Sequence, residues 1–225
     1  QRFNSKLEMM TQTISIVCPV YNEEDVIIEF YHELREVLEK LCNIMHFEII
    51  FVLDRSDDRT QEMIENICAD DKRVKLILMS NRFGNPMSIV AGIDHAKSAV
   101  VTTMDSDLQH PPSLIPAFLD HYYEGYEIVV GVRTKDEGKG FAYSWFSRSF
   151  YKIWGNFSGF EICPGEGDFR LISARVADIF RCEIREHNQF LRGLFRWVGF
   201  KRATVEFIAP DRGAGETKFT KLKLI

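Results

Sequence analysis

Val101-Thr102-Thr103-Met104-Asp105-Ser106-Asp107-Leu108-Gln109-His110 is the stretch on which the fold and the chemistry of this chain turn. A short apolar, β-branched run ends abruptly in two carboxylates one residue apart. Such a run favours a strand. In an extended segment residues i and i+2 point the same way. Asp105 and Asp107 are therefore expected to face one side, with Gln109 joining them if the chain stays extended. Carboxylates that close repel unless a cation lies between them. Mg²⁺ or Mn²⁺ suits the position: hard, oxygen-seeking, and content with one or two carboxylates plus substrate phosphates. Taken alone, the same residues also fit a solvated turn that caps the next helix, so the surroundings decide.

Working outward, buried strands are expected at 13–20, 47–53, 74–79, 100–104 and 126–132, each an apolar run closed by a turn signal. Helical periodicity lies between them. Asn22 is a good N-cap, and Val26, Ile27, Phe30, Leu34, Val37, Leu38 and Leu41 share one face. Asp57 or Asp58 caps a helix through about Ala69. Asn85-Pro86 reads as cap and first helical position, and Pro111-Pro112-Ser113 opens a helix towards Tyr123. Strands alternating with helices predict an α/β fold, a mostly parallel sheet with helices on both faces. Ligands of such sheets bind beyond the carboxyl ends of the strands. Three strands end in polar clusters: Tyr21-Asn22-Glu23, Asp54 to Asp58, and Asp105-Ser106-Asp107. Their convergence on one rim favours the functional reading of the aspartates.

The later chain is less regular. Phe141, Trp145, Phe146, Ser149, Phe150, Ile153, Trp154 and Phe157 form an aromatic helical stripe, which reads as core-facing, with a lipid-facing interfacial role as the alternative. A short strand is expected at 169–172, helices at 175–180 and 189–198, and an edge strand at 203–207.

The 225 residues carry a formal net charge of −5, which argues against a nucleic-acid partner. The five cysteines are scattered and never form a Cys-x-x-Cys pair, the pattern of reduced thiols rather than of a disulfide framework or a zinc site. No signal-peptide pattern occurs, and no apolar run approaches the roughly 18 residues of a membrane span. From Gln189 onward eight Lys or Arg face three acids, so an acidic chain has a basic end suited to phosphate or an anionic membrane face.

Together the motifs resemble those of inverting nucleotide-sugar glycosyltransferases of the GT-A (Rossmann-like) fold, and within them the polyprenyl-phosphate branch of dolichol-phosphate mannose synthases and bactoprenol glucosyltransferases. Pro19-Val20-Tyr21-Asn22-Glu23-Glu24 is similar to the family's first strand and turn, and Asp105 to Pro112 to its metal motif. Gly167 to Leu171, Phe190 to Gly193 and Arg212 to Lys218 follow in the family's order. Two departures stand out. Leu53-Asp54 replaces the usual pair of aspartates, which bears on the base of the nucleotide, and Asn81-Arg82 inverts the usual Arg-Asn.

The resemblance implies transfer of a sugar from a nucleoside diphosphate to a polyprenyl phosphate at the cytoplasmic face of the membrane. Asp105, Asp107 and Gln109 would hold Mg²⁺ or Mn²⁺, and Asp168 would orient the acceptor or act as base. Pro19, Tyr21, Asn22, Glu23, Asp54 and Ser56 would hold the nucleoside, and Arg82 the pyrophosphate. Arg133, Arg170, Arg192, Arg212 and Lys218 are candidates for the acceptor phosphate. A tail at 1–12, a catalytic domain at 13–217 and the start of an interfacial or membrane-proximal segment at 218–225 complete the expected organisation. Two alternatives stay open: a soluble hydroxyl acceptor such as a glycan, and a nucleotide-sugar-binding module without turnover. Oligomeric state is not legible.

Overall fold

The computed structural model describes residues 12–42, 45–134, 165–185 and 190–208. The aromatic stripe from Phe141, and Arg212 and Lys218, lie outside these residues.

The first half alternates strand and helix as its periodicity predicts. Strand β1 (Thr13–Val20) leads to helix α1 (Ile27–Leu41), β2 (His46–Leu53) to α2 (Thr60–Asp70), β3 (Val74–Leu78) to α3 (Asn85–His95), and β4 (Val100–Thr103) through a 3₁₀ turn (Pro112–Leu114) to α4 (Ile115–Tyr123). Strand β5 (Ile128–Arg133), β6 (Glu166–Ser173), α5 (Ala174–Cys182), α6 (Leu191–Trp197) and β7 (Arg202–Phe207) follow. Helix α1 starts later than Asn22 suggested: residues 24–26 form a turn, and Asn22 adopts a left-handed backbone with φ 51°. Its side chain is spent on a neighbouring loop instead of the helix.

The seven strands form one sheet in the order β3-β2-β1-β4-β6-β5-β7. β1 pairs in parallel with β2 and β4, β2 with β3, and β5 with β7. Among the described strands only β6 is reversed, antiparallel to both β4 and β5. The carboxyl ends of β1, β2, β4, β5 and β7 thus lie on one rim, and β6 reaches that rim with its beginning, Glu166 to Asp168.

Two apolar layers enclose the sheet. Ile14, Ile16 and Cys18 of β1 pack with Phe30 and Leu34 of α1, Ile64 of α2 and Phe118 of α4. Val17 and the opposite faces of β2 and β4 pack with Ile89 and Ile93 of α3, Phe180 of α5 and Phe195 of α6. The period of two along β1 is what sends alternate side chains into different layers. Helix α3 lies so close to β1 that a Cβ at Gly92 would stand 2.1 Å from Val17 Cγ1, so only glycine fits there.

Candidate active site

The β4 strand stops at Thr103 and the chain curls instead of staying extended. The Asp107 carboxylate accepts the Gln109 N–H at 3.1 Å, and Leu108 takes a left-handed φ of 64°. This corrects the expectation of three side chains aligned along a strand: Gln109 returns to the site through a turn. Ser106 Oγ donates to the Pro19 carbonyl at 3.1 Å and pins the turn to the end of β1.

Asp105 sits where β4 delivers it. Its Oδ1 accepts from Asn85 Nδ2 at 3.2 Å, and its own N–H donates to His110 Nδ1 at 2.9 Å. Burial pushes the Asp105 carboxyl up; His110 opposes this, while Asp168 and Asp107 push it further and the Asn85 contact pulls back, with the net shift upward. A carboxyl raised by burial and, further, by neighbouring acids is a place where a cation would be stabilising. Among the described residues no three His, Cys, Asp or Glu side chains converge as a ligand set.

A cleft of about 220 Å³ opens beside Asp105, lined by Gln109, His110, Arg133, Gly165, Gly167, Asp168, Arg192 and Phe207. Asp105, Gln109, Arg133, Asp168 and Arg192 were all expected at the site, and the fold brings these five together. Arg133 is exposed at the end of β5. Asp107 shares the turn but does not line this cleft.

Asp168 is gripped rather than free. Arg192 donates to both of its oxygens, and Arg170 Nη2 to Oδ1 at 3.2 Å. Burial works against its ionisation, but Arg192, then Arg170 and His110, hold the carboxyl below its usual range. Arg170, expected as a phosphate contact, lies beneath the cleft with 1% exposure, its guanidinium 4.4 Å from the centre of the Phe195 ring. Nη2 donates to the Gly167 carbonyl at 2.7 Å, and burial pushes the guanidinium down to about 10. Its visible work is to hold the start of β6.

On the β1–β3 side, the expected nucleoside residues knit two loops together. Asn22 N–H donates to Ser56 Oγ at 3.1 Å, and Asn22 Oδ1 accepts the Asp57 N–H at 3.0 Å. Glu23 N–H donates to Thr60 Oγ1 at 2.9 Å. Arg82 lies over the Tyr21 ring at 4.0 Å, so both stand at the same rim. Asp54 is only 3% exposed, and its carboxylate accepts from the N–H groups of Phe83 and Gly84 and from Ser88 Oγ. It anchors the start of α3. Leu53 is 2% exposed and belongs to the core layer under α1. The departure at Leu53 thus falls on a core position.

Sequence reasoning left out three residues: His110 as a partner of Asp105, Asn85 as a donor to its carboxylate, and Glu166. Glu166 is 5% exposed and accepts from Arg196 at 2.7 Å and Arg202 at 2.6 Å. A signal existed: Glu166, Asp168 and Arg170 alternate on one face of β6, and Arg192 and Arg196 are spaced four apart on α6.

Residues 15–180 match the family described as Glycosyl transferase family 2. The chain belongs to that family. As a family 2 domain it is a glycosyltransferase, and its sheet matches GT-A neighbours. It is 41% identical over 211 residues to the uncharacterized glycosyltransferase YkcC of Bacillus subtilis, covering 94% of this chain and 64% of that protein. It is 34% identical to a prophage bactoprenol glucosyl transferase homolog of Escherichia coli, covering 94% and 68%. The chain spans about two thirds of the length of these relatives. A glucosyl-3-phosphoglycerate synthase from Mycobacterium tuberculosis, solved with Mn²⁺, uridine diphosphate and phosphoglyceric acid, shares the fold at a TM-score of 0.60 and 17% identity over 96% of this chain and 76% of that one.

Proposed function

We propose that this domain transfers a sugar from a nucleoside diphosphate to a polyprenyl phosphate, with Mg²⁺ or Mn²⁺ bound at Asp105 and Asp107 and contacted by Gln109. The observation that carries the acceptor assignment is the state of Asp168. The half-buried acid of the cleft is clamped by two arginines that engage both of its oxygens and depress its carboxyl, which makes it a weak proton acceptor. A hydroxyl acceptor needs a base to take its proton. A phosphate monoester, with a second pKa near about 6, is already an anion at neutral pH and needs cations instead. Arg133 and Arg192 line the cleft for that purpose. Bactoprenol glucosyl transferases among the relatives point the same way.

The metal supplies stabilisation of the negative charge that builds on the departing diphosphate. Asp105 and Asp107 would hold it, while Asn85 and His110 fix where Asp105 points. Tyr21, Asn22, Glu23, Ser56 and Arg82 form the rim against which the nucleoside lies, with Pro19 and Asp54 setting the loops behind it. Arg212 and Lys218 belong to the same reading as further contacts to the acceptor phosphate at a cytoplasmic membrane surface. Among the described residues no helix is long and apolar enough to cross a membrane.

Labelled sugar transfer decides the matter. With a nucleotide sugar and Mg²⁺, label is expected on a short polyprenyl phosphate and not on a free oligosaccharide. Efficient labelling of the oligosaccharide, lost in Asp168→Asn, would replace this reading with a hydroxyl acceptor.

A further inference from the structure

His110 follows the metal turn and is 8% exposed, yet its ring reaches the cleft. Its Nδ1 accepts the Asp105 N–H at 2.9 Å. That nitrogen therefore carries a lone pair, and the hydrogen of the neutral ring is on Nε2. The Asp105 N–H selects this orientation, and two aromatic rings fix the plane. The imidazole stacks on Phe169 at 5.0 Å and 18°, and Phe207 meets it edge-on at 6.1 Å. Nε2 points away from Asp105 towards Gly167. A Cβ at position 167 would lie 3.6 Å from Nε2, so glycine leaves that approach open to any occupant of the cleft. Among the described residues no hydrogen bond engages Nε2, and the ring lines the cleft, so its N–H is available to an acceptor bound there. The cations beside it, Arg133 and Arg192, draw an anion to the same space.

We propose that His110 is a substrate-contacting residue whose Nε2–H donates a hydrogen bond to a phosphate oxygen bound in the cleft, while its Nδ1 holds the Asp105 main chain. The inference rests on the phosphate chemistry proposed above. The oxygen belongs either to the diphosphate of the donor or to the monophosphate of the acceptor, and the two are separable by experiment.

The first measurement is on the unaltered chain with ¹⁵N-labelled histidine at a pH where the ring is neutral. The Nε2–H tautomer is expected for His110, and its Nε2 signal should move when the accepting ligand is added. The ligands are uridine diphosphate with Mg²⁺ in one arm and a short polyprenyl phosphate in the other. The second measurement is calorimetric binding of the same ligands to His110→Asn. Asparagine keeps an acceptor near the Nδ1 position and lacks the distal donor. Affinity in one arm should fall about tenfold to a hundredfold, the scale of a hydrogen bond to a charged group. An Nδ1–H tautomer, or His110→Asn binding both ligands as tightly as the unaltered chain, overturns the inference. If polyprenyl phosphate fails to bind the unaltered chain while the nucleotide arm shows the loss, the histidine assignment stands and the acceptor reading falls. If both ligands bind and His110→Asn matches in both, the acceptor reading stands and the histidine assignment falls. Binding of neither ligand removes both.

Discussion

Arg192 holds Asp168 by both carboxylate oxygens, Nε to Oδ1 at 3.2 Å and Nη2 to Oδ2 at 3.1 Å. The pairing neutralises the acid and fixes a cation at the mouth of the cleft. Arg192→Ala should raise the KM for a polyprenyl phosphate about tenfold or more, as the loss of one charge-assisted contact of about 1.5–3 kcal/mol implies. Arg192→Lys should rescue only in part, because an ammonium cannot reproduce the planar fork. An unchanged acceptor KM would limit Arg192 to holding Asp168.

Metal dependence follows from the turn after β4. Asp107→Ala should leave the fold intact, since among the described residues its carboxylate bonds within its own turn, to the Gln109 N–H. Activity should fall roughly a thousandfold, corresponding to about 4 kcal/mol of lost charge stabilisation. Full turnover in excess chelator would falsify the metal assignment.

At the end of β2, neighbouring positions serve opposite purposes. Leu53 faces the core, and Asp54 faces the loop that starts α3. Leu53→Asp should cost about 3 kcal/mol or more by burying an unpaired charge, without tightening any nucleotide. Asp54→Ala should cost about 2–3 kcal/mol, because two N–H groups lose a charged acceptor. Urea unfolding reads both; a fully stable Leu53→Asp that binds nucleotide more tightly would place that side chain in the pocket instead.

Glu166 ties β6 to α6 and β7. Burial pushes its carboxyl up, but Arg202 and Arg196 outweigh it and the net shift is downward. A depressed carboxyl contributes stability that is present above the unfolded value of about 4.3 and is lost as pH falls through the lower folded value. Glu166→Gln should therefore be less stable at neutral pH by about 3 kcal/mol, the scale for breaking a buried pair. The two unfolding curves should converge in acid. Curves that stay parallel from neutral pH to acid would show that the pairing contributes nothing net.

Much of the candidate site was legible because it lies on short, local patterns. Asp105, Gln109, Arg133, Asp168 and Arg192 were picked by motif or charge, and they meet in one cleft. Arg170 was misplaced because a guanidinium looks the same in sequence whether it meets phosphate or, as here, stacks on Phe195 below the surface. Asn22 and Ser56 looked like nucleoside contacts, and their hydrogen bonds across 34 residues show them joining two loops. Capping chemistry and ligand binding use the same donors and acceptors, so residue type cannot separate them.

The sequence by itself determined the periods: two along the strands, 3.6 along the helices. With them came the parallel arrangement of β1 to β4, since a helix between strands returns the chain to the same edge direction. It also determined that a pair of carboxylates ends a buried strand. Only the tertiary structure decided that β6 runs backwards between β4 and β5, so that Glu166 and Asp168 meet the rim at the beginning of their strand. Alternation marks two unlike faces of a strand, but not the strand's direction or what covers each face. Those depend on pairings between distant segments, such as Ser106 with Pro19 across 87 residues, which form only when the whole sheet is in place.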